Sequence, residues 1–584
     1  MAKNSSFLKS FILIFSGIIL GGLICVFGVF ILVLSVSATP VAVKDNSWLV
    51  LDFAGDIKEK PLPEIPSIFD IKQRQMELLK YLKAIEYASY DKRIVGILIN
   101  GDLTFYGKAH TEEIINQLKK FKERGKKIKA WFSYAENKNY YLCSVADTIY
   151  MPDTKSASLT LKGYYLTQPY LKDGLDKVGV EFDVIHIGNY KGTGENLTRN
   201  SMSNDLKSSY MNFLDSIYDI SINDIAKERK IDKNKLENLL ASGKAIMLTP
   251  DQALELKLID KKSTYEELKN EISFNSFESV SIYNYSSLLE KKVRDNKIAI
   301  IYAEGTIYNY FSGEDSFNGE IVGAKSFIED IEKIKKDNTI KAVILRVNSP
   351  GGSALASELM FQSIMSLRKF KPVYVSMGAI AASGGYYISS AGEKIFVDPS
   401  TLTGSIGVVS VLMNHKALTD KIGVNFETIK KHKYDDLFTT TRKTSDDEKE
   451  IMRSSMLNIY EEFTGHVKKE RKITDAEISS LAEGRIWTGE QAVKNKLADY
   501  IGGLEDTIQF AIKTNNIKNY TIESFPKPKS FFDALTDGNN VKASNLILKE
   551  YAKDENVKQL IDLYFYTLDS KNQSSLIIPF YNLP

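Results

Sequence analysis

The chain has 584 residues, too many for one ordinary hydrophobic core, so two or more domains are expected. Its 76 basic and 74 acidic residues are interspersed and leave a net charge of +2, which excludes the basic tracts of a nucleic-acid binder. Two cysteines, and no CxxC, HExxH or His/Cys/Asp cluster, exclude a disulfide framework and give no support to a metal or a cofactor.

Residues 1–9 carry Lys3 and Lys9, and residues 10–38 are uncharged and strongly apolar. That run is long enough to cross a bilayer as one helix, and the flanking lysines favour a cytoplasmic N-terminus, with Lys44 counting on the other side. Val36-Ser37-Ala38 resembles a signal-peptide cleavage site, but the apolar run exceeds a usual signal core. A retained single-pass anchor is expected, with the remaining mass outside the cytoplasm.

The rest of the chain repeats itself. Residues 133–163 lie over residues 379–409 without a gap at a shift of 246, placing Tyr140-Tyr141 on Tyr386-Tyr387. At slightly smaller shifts VEFDV (180–184) answers VNFET (424–428), and KERK recurs at 227–230 and 469–472. Upstream, 48–57 answers 298–307. The period is far too long for a solenoid, so a duplicated domain is expected: residues 46–285, then residues 286–517.

Within the second half the pattern predicts a strand at 299–303, an amphipathic helix at 324–336 and a buried strand at 342–347. A helix at 354–369, a short strand at 373–376 and an apolar helix at 386–391 follow. Continuous β-branched runs between helices imply an α/β fold with mostly parallel sheets covered by helices. Long polar-faced helices are predicted at 203–229 and 443–472. Residues 518–584 have no counterpart in the first half and read as a structural cap or interface segment.

Two small-residue turns in the second half can carry chemistry. Ala381-Ala382-Ser383-Gly384-Gly385 places a serine between a strand and a helix, where its hydroxyl is unobstructed and the following N–H groups lie at a helix start. Asn348-Ser349-Pro350-Gly351-Gly352 follows a strand, and its bare backbone N–H groups can hold a negative oxygen. Either turn by itself is equally a plain packing turn. The repeat is lopsided at both, because Ser383 falls on Asn137, and Asn100-Gly101-Asp102-Leu103 lacks the Gly-Gly pair.

A nucleophilic serine needs a base. Of His110, His186, His415, His432 and His466, His432 is the best candidate, yet none lies in a run that looks like a site. The other option is a lysine kept neutral by burial. Here too the halves differ, since Lys191 falls on Asp435. Lysine is ordinarily a solvated charge, so the residues leave both options open.

Taken together, SPGG after a strand, A-A-S-G-G-Y, T-G-S-I-G-V, and Y-K-G-T-G-E-N-L-T-R in the first half resemble the signal peptide peptidase A family in its long, duplicated, membrane-anchored form. The resemblance covers the chain from the anchor to about Gly503. It implies two tandem Clp/crotonase-like domains and a serine–lysine peptidase, with Ser383 as nucleophile and Lys191 as base. It also implies that Ser405 orients the lysine amine, with Gly384 and Gly351 or Gly352 as the oxyanion donors. By the same resemblance the substrates are signal peptides, unfolded or membrane-associated, and the assembly is a homo-tetramer on the periplasmic face of the cytoplasmic membrane, tied to lipid by one helix. Two rival readings are a crotonase-type acyl-CoA enzyme, which would use the same N–H pair on a thioester oxygen, and a non-catalytic membrane scaffold.

Overall fold

A computed structural model describes residues 21, 42–52, 57–61, 76–103, 107–273, 276–289, 294–315, 319–527 and 575–576. The expected anchor at 10–38 lies outside the described residues, apart from Gly21. Among the described residues no helix is long and apolar enough to cross a membrane.

Two α/β sheets carry the molecule. In the first, the strand order is Lys261–Lys262, Thr148–Met151, Lys127–Trp131, Ile94–Asn100, Ser47–Leu51, Ser279–Ser281, and every neighbouring pair is parallel. The second repeats it: Tyr500–Ile501, Lys394–Val397, Val373–Ala382, Ile340–Ser349, Asn296–Glu304, Tyr520–Phe525, again all parallel. The central strands are apolar on both faces, as a sheet covered on both sides requires: Leu98, Ile99, Val343 and Ile344 are fully buried. Both long helices start at a serine cap. The Ser203 hydroxyl accepts the Leu206 N–H ahead of Asn204–Arg229, and Ser445 forms a capping box with Glu448 ahead of Asp446–Arg471. The two KERK stretches end these helices alike, with Lys230 and Lys472 at φ 53° and 54°.

Two expectations need correction. The strand predicted at 373–376 runs on to Ala382, because it changes partner. Residues Tyr374–Met377 pair with Lys394–Val397, while Ile380–Ala382 pair with Leu402–Gly404. Also, the segment from 518 is not wholly a cap without a counterpart. Tyr520–Phe525 lies beside Asn296–Glu304 just as Ser279–Ser281 lies beside Ser47–Leu51. A three-residue strand is too short to be matched by sequence, and only pairing reveals the correspondence.

Two of the contacts between the halves bear on the site. Helix Lys108–Glu123 of the first half meets the second sheet at a buried ionic cluster. There Arg346 donates to Glu59 (2.9 Å, twice) and to Glu113 (2.6 Å), and Glu113 also accepts the Leu504 N–H. Burial pushes the Glu59 carboxyl up, but Arg346 and His110 outweigh it and hold it well below the usual carboxylate range. The second junction is a two-stranded antiparallel ladder. Strand Glu181–Ile187 of the first half pairs with Val408–Asn414 of the second through seven residues, from Ile187↔Val408 to Glu181↔Asn414.

Candidate active site

That ladder sets the position of the candidate base. Lys191 follows Ile187 by four residues, and Ser405 precedes its partner Val408 by three, so the register carries Lys191 over the T-G-S-I-G turn. The loop is pinned on its far side, where the Tyr190 N–H donates to Glu483 O (2.8 Å) and Gly484 N–H to Ile406 O (2.7 Å). The Lys191 side chain is buried and ends on three oxygens: Ser383 Oγ at 2.7 Å, Ser405 O at 2.9 Å and Ser405 Oγ at 3.0 Å.

Burial without a counter-ion pushes the Lys191 amine down to about 7. Its neutral form suits these partners. A neutral amine has two N–H donors and one lone pair. The carbonyl of Ser405 can only accept, and Ser405 Oγ can take the second N–H. The lone pair is then left for the Ser383 hydroxyl proton.

Ser383 itself stands between strand Val373–Ala382 and helix Gly384–Ser389 at φ 56°, ψ −117°. Residues with a Cβ seldom enter that region, so the turn is strained. Two bonds hold it: Ser383 N–H donates to Gly404 O, and Ser383 O accepts from Tyr387 N–H, both at 2.8 Å. The Gly384 and Gly352 turns touch beside it, with Gly352 N 3.2 Å from where a Cβ on Gly384 would stand. Gly351, at φ 104°, donates its N–H to Ser349 Oγ at 3.1 Å. Of the three candidate oxyanion glycines, Gly351 is thus already committed, and Gly352 and Gly384 form the adjoining pair.

The alternative bases lie elsewhere. His432 is exposed, with its ring 3.4 Å from Asp435. His110 contacts Glu59 and His466 contacts Glu358. Counterparts in the first half are structural: Asn137 donates to Lys162 O and accepts from Lys162 N–H. The structure also adds a cluster that sequence spacing did not reveal. Glu358, Glu462 and His466 have ligand-type atoms within 4.8 Å of one another. Glu358 accepts there from Tyr387 Oη, from Gln362 Nε2 and from the His466 ring when its Nε2 is protonated, so the group braces the helix behind Ser383. Only the Glu-x-x-x-His spacing at 462 and 466 hinted at it.

A serine hydroxyl within hydrogen-bond reach of a buried amine, beside a glycine-rich turn, is the arrangement of a serine hydrolase that uses lysine where others use histidine. A profile of Peptidase family S49 matches residues 120–275 and 366–518. The chain belongs to that family and is a serine protease.

It is 31% identical over 513 residues to a protein of Arabidopsis thaliana named serine protease SPPA, chloroplastic, covering 85% of this chain and 74% of that one. It is 29% identical over 551 residues to protease 4 of Haemophilus influenzae, covering 88% and 84%. An Enterococcus faecium protein whose name includes signal peptide peptidase SppA is 32% identical over 43% of this chain and 74% of its own. Among solved structures, a point mutant of ClpP1 from Listeria monocytogenes aligns with 36% of this chain and 94% of its own at 14% identity and a TM-score of 0.25, too low to bear on the fold.

Proposed function

We propose that this chain is a membrane-anchored serine endopeptidase with a Ser383–Lys191 dyad that degrades signal peptides released from secretory precursors. The observation carrying the dyad is the 2.7 Å contact between Lys191 Nζ and Ser383 Oγ in a buried site where burial alone depresses the amine. Ser383 Oγ attacks a peptide carbonyl as its proton passes to Lys191. The negative oxygen is held by the N–H groups of Gly352 and Gly384, and Ser405 keeps the amine aimed. Lys191 then protonates the leaving amine and activates water to release the acyl group. Membership of family S49 leaves no support for the acyl-CoA and scaffold readings.

The names of the relatives support signal peptides as substrates, and the apolar run at 10–38 supports a bilayer anchor with the catalytic body on the periplasmic side. The matching strand orders support two tandem Clp/crotonase-like domains.

The duplication also supports a homo-oligomer, a tetramer by resemblance. Shifting the ladder by one repeat matches residues 408–414 to 162–168, and residues 181–187 to 425–431. Among the described residues neither equivalent pairs with another strand. Residues 163–170 alternate exposed and half-buried like an edge strand, and Gln168 and Tyr170 hold buried polar atoms without partners among the described residues. Residues 421–430 are all exposed, Ile429 at 96%. A head-to-tail neighbour would pair one strip with the other.

The test uses the full-length chain in detergent, with casein and a synthetic signal peptide as substrates. Ser383→Ala and Lys191→Ala are each expected to lower kcat by about 10³-fold or more, with circular dichroism unchanged. Retained turnover in Lys191→Ala would remove the dyad reading.

A further inference from the structure

One short stretch, residues 483–487, reaches every part of the dyad. It leaves the helix Asp475–Leu481 and ends in the strand Ile486–Trp487, which pairs antiparallel with Leu402–Gly404. Ile486 lies opposite Gly404, whose carbonyl holds the Ser383 N–H at 2.8 Å. One residue earlier, the Arg485 carbonyl accepts the Ser405 N–H at 2.7 Å. Gly484 packs on the backbone of Lys191 itself: a Cβ there would stand 2.4 Å from Lys191 N and 2.6 Å from its Cα. With Glu483 at φ 59° and Gly484 at φ 84°, two successive left-handed residues turn the chain tightly enough to fit between the Lys191 loop and the Ser405 turn.

The side chain of Arg485 adds a clamp to this strap. Its guanidinium carbon lies 3.8 Å from the centroid of the Tyr190 ring, and Tyr190 directly precedes Lys191. Arg485 Nη1 donates to Ser479 O at 3.2 Å and to Ala482 O at 3.3 Å, at the end of the preceding helix, and Glu483 Oε2 lies 3.4 Å away. A guanidinium can serve both sides at once, because its edge carries the N–H donors while its flat face stacks on a ring. The repeat separates the turn from the clamp. In the first half Gly243 answers Gly484 and keeps the left-handed turn, at φ 70°. Lys244 answers Arg485 and is exposed. The turn belongs to the shared fold, whereas the arginine accompanies the half that carries Ser383.

We propose that Arg485 is a positioning residue for the dyad: through Tyr190 it holds the Lys191 loop against the Ser405 turn and so keeps the amine on Ser383 Oγ. The proposal rests on the Ser383–Lys191 reading above. Lys191 Nζ reaches Ser383 Oγ at 2.7 Å, and a loop displaced by about 1 Å no longer makes that bond. The amine's hydrogen-bond partners are oxygens of Ser383 and Ser405, the charged groups of the strap, Glu483 and Arg485, face each other, and burial alone holds the amine low. A loop that lets water reach the amine therefore returns it towards its ordinary value, and the lysine is then protonated at neutral pH. Arg485 acts on the state of Lys191 without touching substrate.

Profiles of kcat/KM against pH for the full-length chain in detergent, with a synthetic signal peptide, test this alongside thermal melts. In Arg485→Ala the acid limb should move up by about one pH unit, which lowers the rate at pH 7 about fivefold and leaves KM within about twofold. Tyr190→Ala should do the same, and the double variant no more, because each removes the same stack. Tyr190→Phe keeps the ring and should restore the wild-type limb, whereas Arg485→Lys keeps the charge without the flat face and should not. The stack is thus read from both of its sides, so one variant that fails to fold leaves the others to decide. A limb that stays in place in the folded variants, with only the melting temperature lowered, would overturn the positioning role and leave the dyad standing. Turnover by Lys191→Ala would instead strike at the dyad itself.

Discussion

Most buried lysines stay charged because a carboxylate is buried with them. Lys83 is an instance: burial lowers its amine, but Glu505 and Glu86 together raise it above its ordinary value. Lys191 meets only hydroxyl and carbonyl oxygens, so desolvation acts unopposed and brings it to about 7. As the proposed base, Lys191 works only when neutral. We therefore expect log kcat/KM to rise with a slope near 1 below about pH 7 and to level off above it, as read from a pH–rate profile. The stability effect has its own sign. The folded value lies below the unfolded one, so between about 7 and 10.5 the unfolded chain binds the extra proton and stability increases with pH. Below about 7 the burial penalty is fully present. Lys191→Met removes that penalty, and should raise the unfolding free energy near pH 6 by a few kcal/mol while abolishing turnover.

At the level of elements, the ladder between Glu181–Ile187 and Val408–Asn414 meters the distance from Lys191 to Ser383. A side chain introduced at its edge should show this. A Cβ on Gly407 would stand 2.9 Å from Ile187 O and 3.2 Å from Lys191 Cδ. Gly407→Val is expected to push the lysine stem aside and lower kcat by about 10²-fold, since misplacement by about 1 Å costs that much. Steady-state kinetics with a thermal melt would separate this from unfolding. Most elements were legible in the residues. The helix at 324–336 and the buried runs at 299–303 and 342–347 were visible because burial and periodicity are local. The extension of the strand to Ala382 was not, because small residues carry no strand signal and the second partner, Leu402–Gly404, lies about twenty residues onward.

Across the whole molecule, the proposed site draws one residue from each half, and the halves are locked together by charge. Arg346, Glu59 and Glu113 are almost fully buried, and removing the guanidinium takes the cation from both carboxylates and leaves Glu59 only His110. Arg346→Met should destabilise the chain by about 3–5 kcal/mol, measured by urea denaturation. Because folded Glu59 is depressed, its share of stability is present above the ordinary glutamate range and is lost as pH falls below it. For the oligomer, Ile429→Asp should shift light scattering towards the monomer, since it places a charge in the strip proposed to meet residues 162–168 of a neighbour. An unchanged mass would place the contact elsewhere.

By themselves the residues determined the fold class, the duplication, the two glycine-rich turns and the asymmetry between the halves at Ser383 and Lys191. These are patterns of side-chain size and polarity, written locally and repeated at a constant spacing. What only the tertiary structure decided is which amine meets the hydroxyl and in what state. Lys191 and Ser383 are 192 positions apart, and no local signal specifies such a contact. It comes from a strand of one half pairing in register with a strand of the other, and from the exclusion of carboxylates at their junction.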